Sequence, residues 1–285
     1  MIKQTSLIAI LVGAALLAGC DDSGEDDYFY ATPGGIYEGT LTDNITQRQT
    51  QVFAIIDEDG NGRMIDDDTG DFYSLSLSND GLDLSGTLQG YAGGSAFPGG
   101  QAQVSGNLGG QITDEGLSAS FTESNGDSGT LNLSFDYYYY SYSNLPLLAG
   151  GWGYSDSGFS LSLSINADGS FNGNSSDGCA YAGHFSIFDS YYNAYHVNYT
   201  QTCGNSSSNF TGLASYFPDD SLGPEEIELL ADNGSGGYLA VPLTLGAPVA
   251  QPLSPAQPQS STQPMPQQWV KSGASLRPAT AVRRR

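Results

Sequence analysis

The chain has 285 residues, 31 of them acidic and only 8 basic, for a formal net charge of −23 at pH 7. With 38 glycines and 18 tyrosines, and serine and threonine where long helix formers would stand, it reads as an all-β protein. Lys3 lies in the leader and Lys271, Arg277, Arg283, Arg284 and Arg285 in the tail, so the body keeps only Arg48 and Arg63; such a surface repels phosphate backbones, argues against nucleic acid as a partner and favours cations or basic partners.

Residues 1–19 have the form of a signal peptide. Lys3 supplies the positive start and Leu7 to Ala18 an apolar run of about a dozen residues, inside the range for such a leader and too short to span a bilayer. Ala18 and Gly19 directly before Cys20, in "LLAGCDD", resemble the bacterial lipobox. The resemblance implies cleavage before Cys20, diacylation of that cysteine and acylation of the new N-terminus. Stable attachment takes at least two chains, so Cys20 would be a membrane anchor in the bacterial cell envelope. Asp21 matches the enterobacterial signal for retention in the inner membrane. Other bacteria read different positions, so inner or outer membrane, and periplasm or cell surface, stay open.

Residues 20–34 are the lipidated cysteine and an acidic tether. From Gly35 to Gly246 strands and turns alternate every 8–12 residues or so. Strict period two marks "YSLSLS" (Tyr73, Leu75, Leu77), "LNLSF" (Leu131, Leu133, Phe135) and "FSLSLSI" (Phe159, Leu161, Leu163, Ile165), giving each strand one buried and one wet face. "GIYEG" at 35–39 followed by "IIDEDGNGR" recurs as "GWGYS" at 151–155 followed by "SINADGSFNG", an offset of about 110 residues. The halves divide at "SNLPLLAG", where Pro146 interrupts pairing. We therefore expect two tandem, roughly eight-stranded antiparallel barrels over 35–143 and 144–246, since eight strands close a small barrel that is filled or holds one small ligand. One extended β-sandwich is the alternative.

Three stretches of the first half carry chemistry-bearing patterns. In "DEDGNGRMIDDD", Asp57, Asp59 and Asn61 take positions 1, 3 and 5 of a calcium loop, Arg63 offers its carbonyl at 7, and Asp68 stands at 12. Hard oxygens at this spacing suit a weak Ca²⁺ site. Against it, aspartate replaces the bidentate glutamate and the flanks read as strands, so a hairpin turn with solvated acids is the competing reading. "NGDSGT" at 125–130 resembles the nucleophile motif of trypsin-like proteases, but both histidines follow Ser128 and Thr130 replaces a glycine. Without a base there is no nucleophile, and no enzyme is expected. "YYYYSY" at 137–142 reads as a strand presenting alternate tyrosines outward. Tyr137, Tyr139, Tyr191 and Tyr192 are candidate contact residues for a glycan or protein, with strand propensity alone as the plain alternative.

In the second half, "CAYAGHFSIFDSYYNAYHVNYTQTC" folds as a hairpin with its turn near 189–193, bringing Cys179 to Cys203 and His184 to His196 across the strands. Cysteine and histidine five apart lie on opposite faces, which splits a Cys₂His₂ zinc set. A Cys179–Cys203 disulfide fits better, and with Cys20 assigned to lipid it resolves the odd count in an oxidising compartment. Residues 247–285 are rich in Pro, Gln and Ser and end in three arginines, the composition of a disordered tail.

The strand cadence and the "GIYEG" opening resemble the barrel lobes of transferrin-binding-protein-type surface lipoproteins and, more loosely, the lipocalin-like class. The resemblance implies a non-enzymatic binding module for a protein, a glycan or a small apolar ligand, and transfers no binding residues. A structural envelope scaffold is the first alternative and a glycan or cell-wall enzyme the second.

Overall fold

A computed structural model describes residues 32–156, 158–219 and 223–246, and the backbone of 268–269. Cys20, the acidic tether through residue 31 and nearly all of the Pro/Gln-rich tail lie outside the described residues. The body is two closed, eight-stranded antiparallel barrels. The first runs β1 (Gly35–Asp43), β2 (Gln49–Ile56), β3 (Asn61–Asp66), β4 (Phe72–Asp80), β5 (Asp83–Tyr91), β6 (Gln103–Thr113), β7 (Gly116–Glu123) and β8 (Ser128–Asp136). Each strand pairs with the next, and β8 closes on β1 with Leu133 opposite Gly39. The second runs β9 (Gly150–Asp156), β10 (Phe159–Ile165), β11 (Ser170–Ser175), β12 (Cys179–Ile187), β13 (Tyr195–Cys203), β14 (Ser206–Phe217), β15 (Glu226–Asp232) and β16 (Tyr238–Leu245). It closes where β16 meets β9 at Thr244–Gly153 and Leu245–Trp152. A short strand β17 (Gln268–Trp269) adds in parallel to β16.

Both interiors hold packed side chains. Leu75, Leu77, Leu131 and Leu133 point into the first barrel, and Trp152, Leu161, Leu163, Phe171 and Tyr199 into the second, as the period-two runs predict. The internal repeat is structural. Its glycines, Gly60 and Gly169, sit in the β2–β3 and β10–β11 turns at φ +80 and +87. In each, the carbonyl accepts the amide of a later strand, Leu77 at 2.8 Å and Phe185 at 2.9 Å. A Cβ at either would run into the carbonyl of that same residue. Left-handed backbone and close approach together require glycine.

Some strands break the alternation. β2 buries Val52 through Ile56 without interruption, and most of β15 and the first half of β16 are also buried on both faces. Their outward residues form a third core between the barrels, where Phe53, Ile55 and Phe72 of the first meet Leu213, Leu230 and Tyr238 of the second. Phe72 stacks on Tyr238 at 5.0 Å. Each such side chain removed from water is worth about 1.5–3 kcal/mol, so the barrels are packed on one another rather than strung on a linker.

Residues 137–140 correct an expectation. They form a 3₁₀ turn, not a strand: Asp136 Oδ1 accepts the Tyr138 amide at 2.8 Å and turns the chain out of β8. Alternate tyrosines therefore do not face opposite sides of a sheet. A second 3₁₀ turn, Leu145–Leu148, carries Pro146 in its first turn and seals the second barrel, with Trp152 Nε1 donating to the Leu148 carbonyl at 2.7 Å.

Candidate functional site

The turns β1–β2, β3–β4, β5–β6 and β7–β8 gather at one end of the first barrel and enclose a cavity of about 400 Å³. Ligand pockets favour the mouths of β-barrels, and volumes from about 300 Å³ upward hold small molecules. Six carboxyl groups line it, Asp43, Asp66, Asp68, Asp71, Glu123 and Asp127, against the single cation Arg48. The apolar wall is Leu41, Tyr73, Phe97 and Phe121. The long β5–β6 loop folds over the opening and brings Phe97 to Tyr73, ring centroids 6.3 Å apart. It is pinned by the Gly93 amide donating to Asp71 Oδ1 at 2.8 Å.

The acids are held by local bonds. Asp43 Oδ1 accepts the amides of Ile45 and Thr46, and Asp66 Oδ1 those of Asp68 and Thr69. Asp66 Oδ2 accepts the Thr50 hydroxyl at 2.6 Å, and Asn125 donates to Glu123 Oε2. Burial, reinforced by Asp127, Asp71 and Asp43, pushes Glu123 up to about 7, outweighing the Asn125 bond. Asp71 and Asp127 are raised as well, first by burial. Tyr73, only 4 % exposed, is held protonated by burial and by Asp71, Glu123, Asp66 and Asp127 nearby.

The sequence-derived candidates fall elsewhere. Asp57 directly follows β2 and Asp68 lies in the turn beyond β3, so a six-residue strand separates them and the twelve positions are not one loop. Asp57 is buried and binds the Asn61 amide at 2.8 Å and, across the barrel interface, His196 Nε2 at 3.0 Å. Burial raises its carboxyl, but the bonds from His196 and Asn61 prevail and hold it below the usual range. Arg63 Nε sits 2.7 Å from Asp232 Oδ2 of the second barrel, which Ser74 also bonds at 2.7 Å. The Arg63→Ala variant should lose about 2 kcal/mol, the scale for leaving a buried acceptor such as the Asp232 carboxylate without its partner, read as a lower urea midpoint at unchanged slope. Among the described residues no three His, Cys, Asp or Glu side chains are arranged to hold a metal ion.

Cys179 and Cys203 are paired directly across β12 and β13 and joined as a disulfide. The histidines are offset: His184 stands opposite Asn198, and His196 opposite Ser186. Ser128 begins β8, where the Asn44 amide reaches its hydroxyl at 3.4 Å. Of the tyrosines, Tyr139 is buried, donates to Glu58 Oε1 at 2.5 Å and stacks on half-buried Tyr192 at 4.9 Å. Tyr137 and Tyr191 are exposed, with Tyr140, Tyr142 and Phe188 near them in the sequence also exposed.

Comparison with protein-family models, curated proteins and solved structures finds no match. The site is therefore read from its own geometry. The barrel mouth was missed in the sequence because its lining comes from four separate turns. Its one local sign was the crowding of acids in "DDDTGD" at 66–71, which the calcium reading absorbed.

Proposed function

We propose that this chain is a lipid-anchored protein of the bacterial cell envelope, held by acylated Cys20 to the inner or outer membrane. Its two barrels serve as a non-enzymatic binding module, with the mouth of the first barrel as the site for a small ligand. The observation that carries the binding role is the 400 Å³ mouth cavity, where ordered carboxyl groups and aromatic rings converge. The lipobox supports the anchor. The disulfide supports an oxidising compartment, where such bonds persist.

Fractionation tests the anchor: wild-type chain should sediment with membranes and carry the mass of its acyl groups, and Cys20→Ser should release it. A Cys20→Ser chain that stays in the membrane fraction would overturn this. Native mass spectrometry of the purified chain should find a small molecule retained after incubation with envelope extract. A bare mass would favour the second reading, an envelope scaffold that holds macromolecules through the exposed rings of Tyr137, Tyr140, Tyr142 and Tyr191.

A further inference from the structure

We infer that the mouth of the first barrel binds a small organic cation, an alkyl- or arylammonium. Its N–H groups would lie on the ring of carboxylates and its body against Tyr73, Phe97 and Phe121. This rests on the reading of the mouth as the ligand site and adds the chemistry of the ligand.

Charge comes first. Asp43, Asp71, Glu123 and Asp127 face one half-open space whose lining holds a single cation, Arg48, itself exposed. An anion would be repelled there, and a neutral molecule would leave the crowded acids uncompensated. The second observation is independent of the acids. Tyr73 is 4 % exposed, lines the cavity, and its hydroxyl makes no hydrogen bond to any described residue. The hydroxyl is not fully enclosed by protein atoms but opens on the cavity it lines, where a ligand N–H would donate to the phenol oxygen. The rings then matter. Tyr73 and Phe97 form an aromatic wall beside the acids, and a cation over such a face is attracted by its quadrupole.

The same geometry separates an organic cation from a bare metal ion. Calcium and magnesium need several oxygens drawn to within about 2.0–2.6 Å of one point. Here the acids are spread over different hairpin ends, and no three converge on such a point among the described residues. An ammonium with a body of its own satisfies acceptors that are farther apart.

The pH dependence follows from Glu123. Around it stand Asp43 from β1, Arg48 and Thr50 from the next turn and strand, Asp66, Asp68, Asp71 and Tyr73 from the β3–β4 corner, and Asn125 and Asp127 beyond β7. With Glu123 titrating at about 7, binding that needs it ionised should weaken about tenfold between pH 8 and pH 6.

The test is calorimetric titration of the full-length chain with three probes that share a phenylethyl body: 2-phenylethylamine, 2-phenylethanol and 3-phenylpropionate. The amine should bind at pH 8 at least about tenfold more tightly than either other probe, one full charge contact in such a site. Its affinity should fall at pH 6, and Glu123→Gln should weaken it at pH 8 and flatten the pH response. Ala96→Trp, an exposed loop position that leaves both cores intact, should block the mouth and abolish binding. If the alcohol or the carboxylate binds as well as the amine and Ala96→Trp blocks it, the cation inference fails and the mouth remains the ligand site. If no probe binds, the cation inference fails, and the ligand-site reading fails with it only if the chain also shows a bare mass after incubation with envelope extract. If the amine binds and Ala96→Trp changes nothing, the mouth is not where it binds and the cation inference fails.

Discussion

Lowering the pH from 8 to 5.5 should raise the melting temperature of the paired barrels by roughly 6 to 12 °C. The cause is a set of carboxyl groups that the fold removes from water without cationic partners. Burial first, then Asp136 and Asp67, pushes Glu38 up to about 7. Burial, then Asp66 and Asp68, does the same to Asp67, and Glu123 in the barrel mouth matches them. Glu228, on β15 of the second barrel and 6 % exposed, is raised well above the ordinary range by burial, then by Glu226, Asp67 and Glu38. Glu38, Asp67 and Glu228 therefore crowd together where the two barrels meet.

The sign follows from proton counting. In the unfolded chain these groups titrate near 4, so between about pH 4.5 and pH 7 the folded state binds more protons and is stabilised by acid. That stability is full below the unfolded values and is lost as pH rises through about 7. A carboxyl moved from about 4 to about 7 changes stability by at most about 2 kcal/mol between pH 8 and 5.5. With Glu38, Asp67 and Glu123 all partly screened, the three together are expected to give about 3 kcal/mol, and Glu228 acts in the same direction. Asp57 acts oppositely, but its carboxyl is lowered, so its contribution is lost only at pH below the usual carboxylate range. Calorimetric melts across pH 5–8 check this. Glu228→Gln should raise the melting temperature at pH 8 and narrow the difference between the two pH values. A melting temperature that is equal or higher at pH 8 in the wild-type chain would refute the account.

Cys203→Ser should lower the stability of oxidised protein by about 3–4 kcal/mol, the chain-entropy value for a closed loop of this length. The two cysteines are 24 residues apart in sequence yet directly opposite in register at the open end of the β12–β13 hairpin. The crosslink thus limits the unfolded chain while the hairpin's own ladder already sets the native geometry. Reductant should lower the wild-type melt by a similar amount and leave the Cys179→Ser/Cys203→Ser double variant unmoved. An unchanged melt in Cys203→Ser would show that the bond contributes no stability.

Local pattern determined much of this protein. Period two in "YSLSLS" and "FSLSLSI" placed Leu75, Leu77, Leu161 and Leu163 inside barrels, because side-chain direction in a strand depends only on neighbours along the chain. The repeat aligned the turns that hold Gly60 and Gly169, and the hairpin turn near 189–193 paired Cys179 with Cys203. The uninterrupted run Val52–Ala54–Ile56 with Phe53 and Ile55 between carried a further message, a strand buried on both faces. Which surface covers its outer face depends on residues more than 150 positions away, such as Leu213 and Leu230. The tertiary structure alone decided that Asp57 faces His196 across the barrel interface while Asp68 goes to the far end of β3. It alone decided that Asp43, Asp71, Glu123 and Asp127 share one cavity. Barrel closure brings the ends of distant hairpins together in space, and no spacing along the chain records which of them will meet.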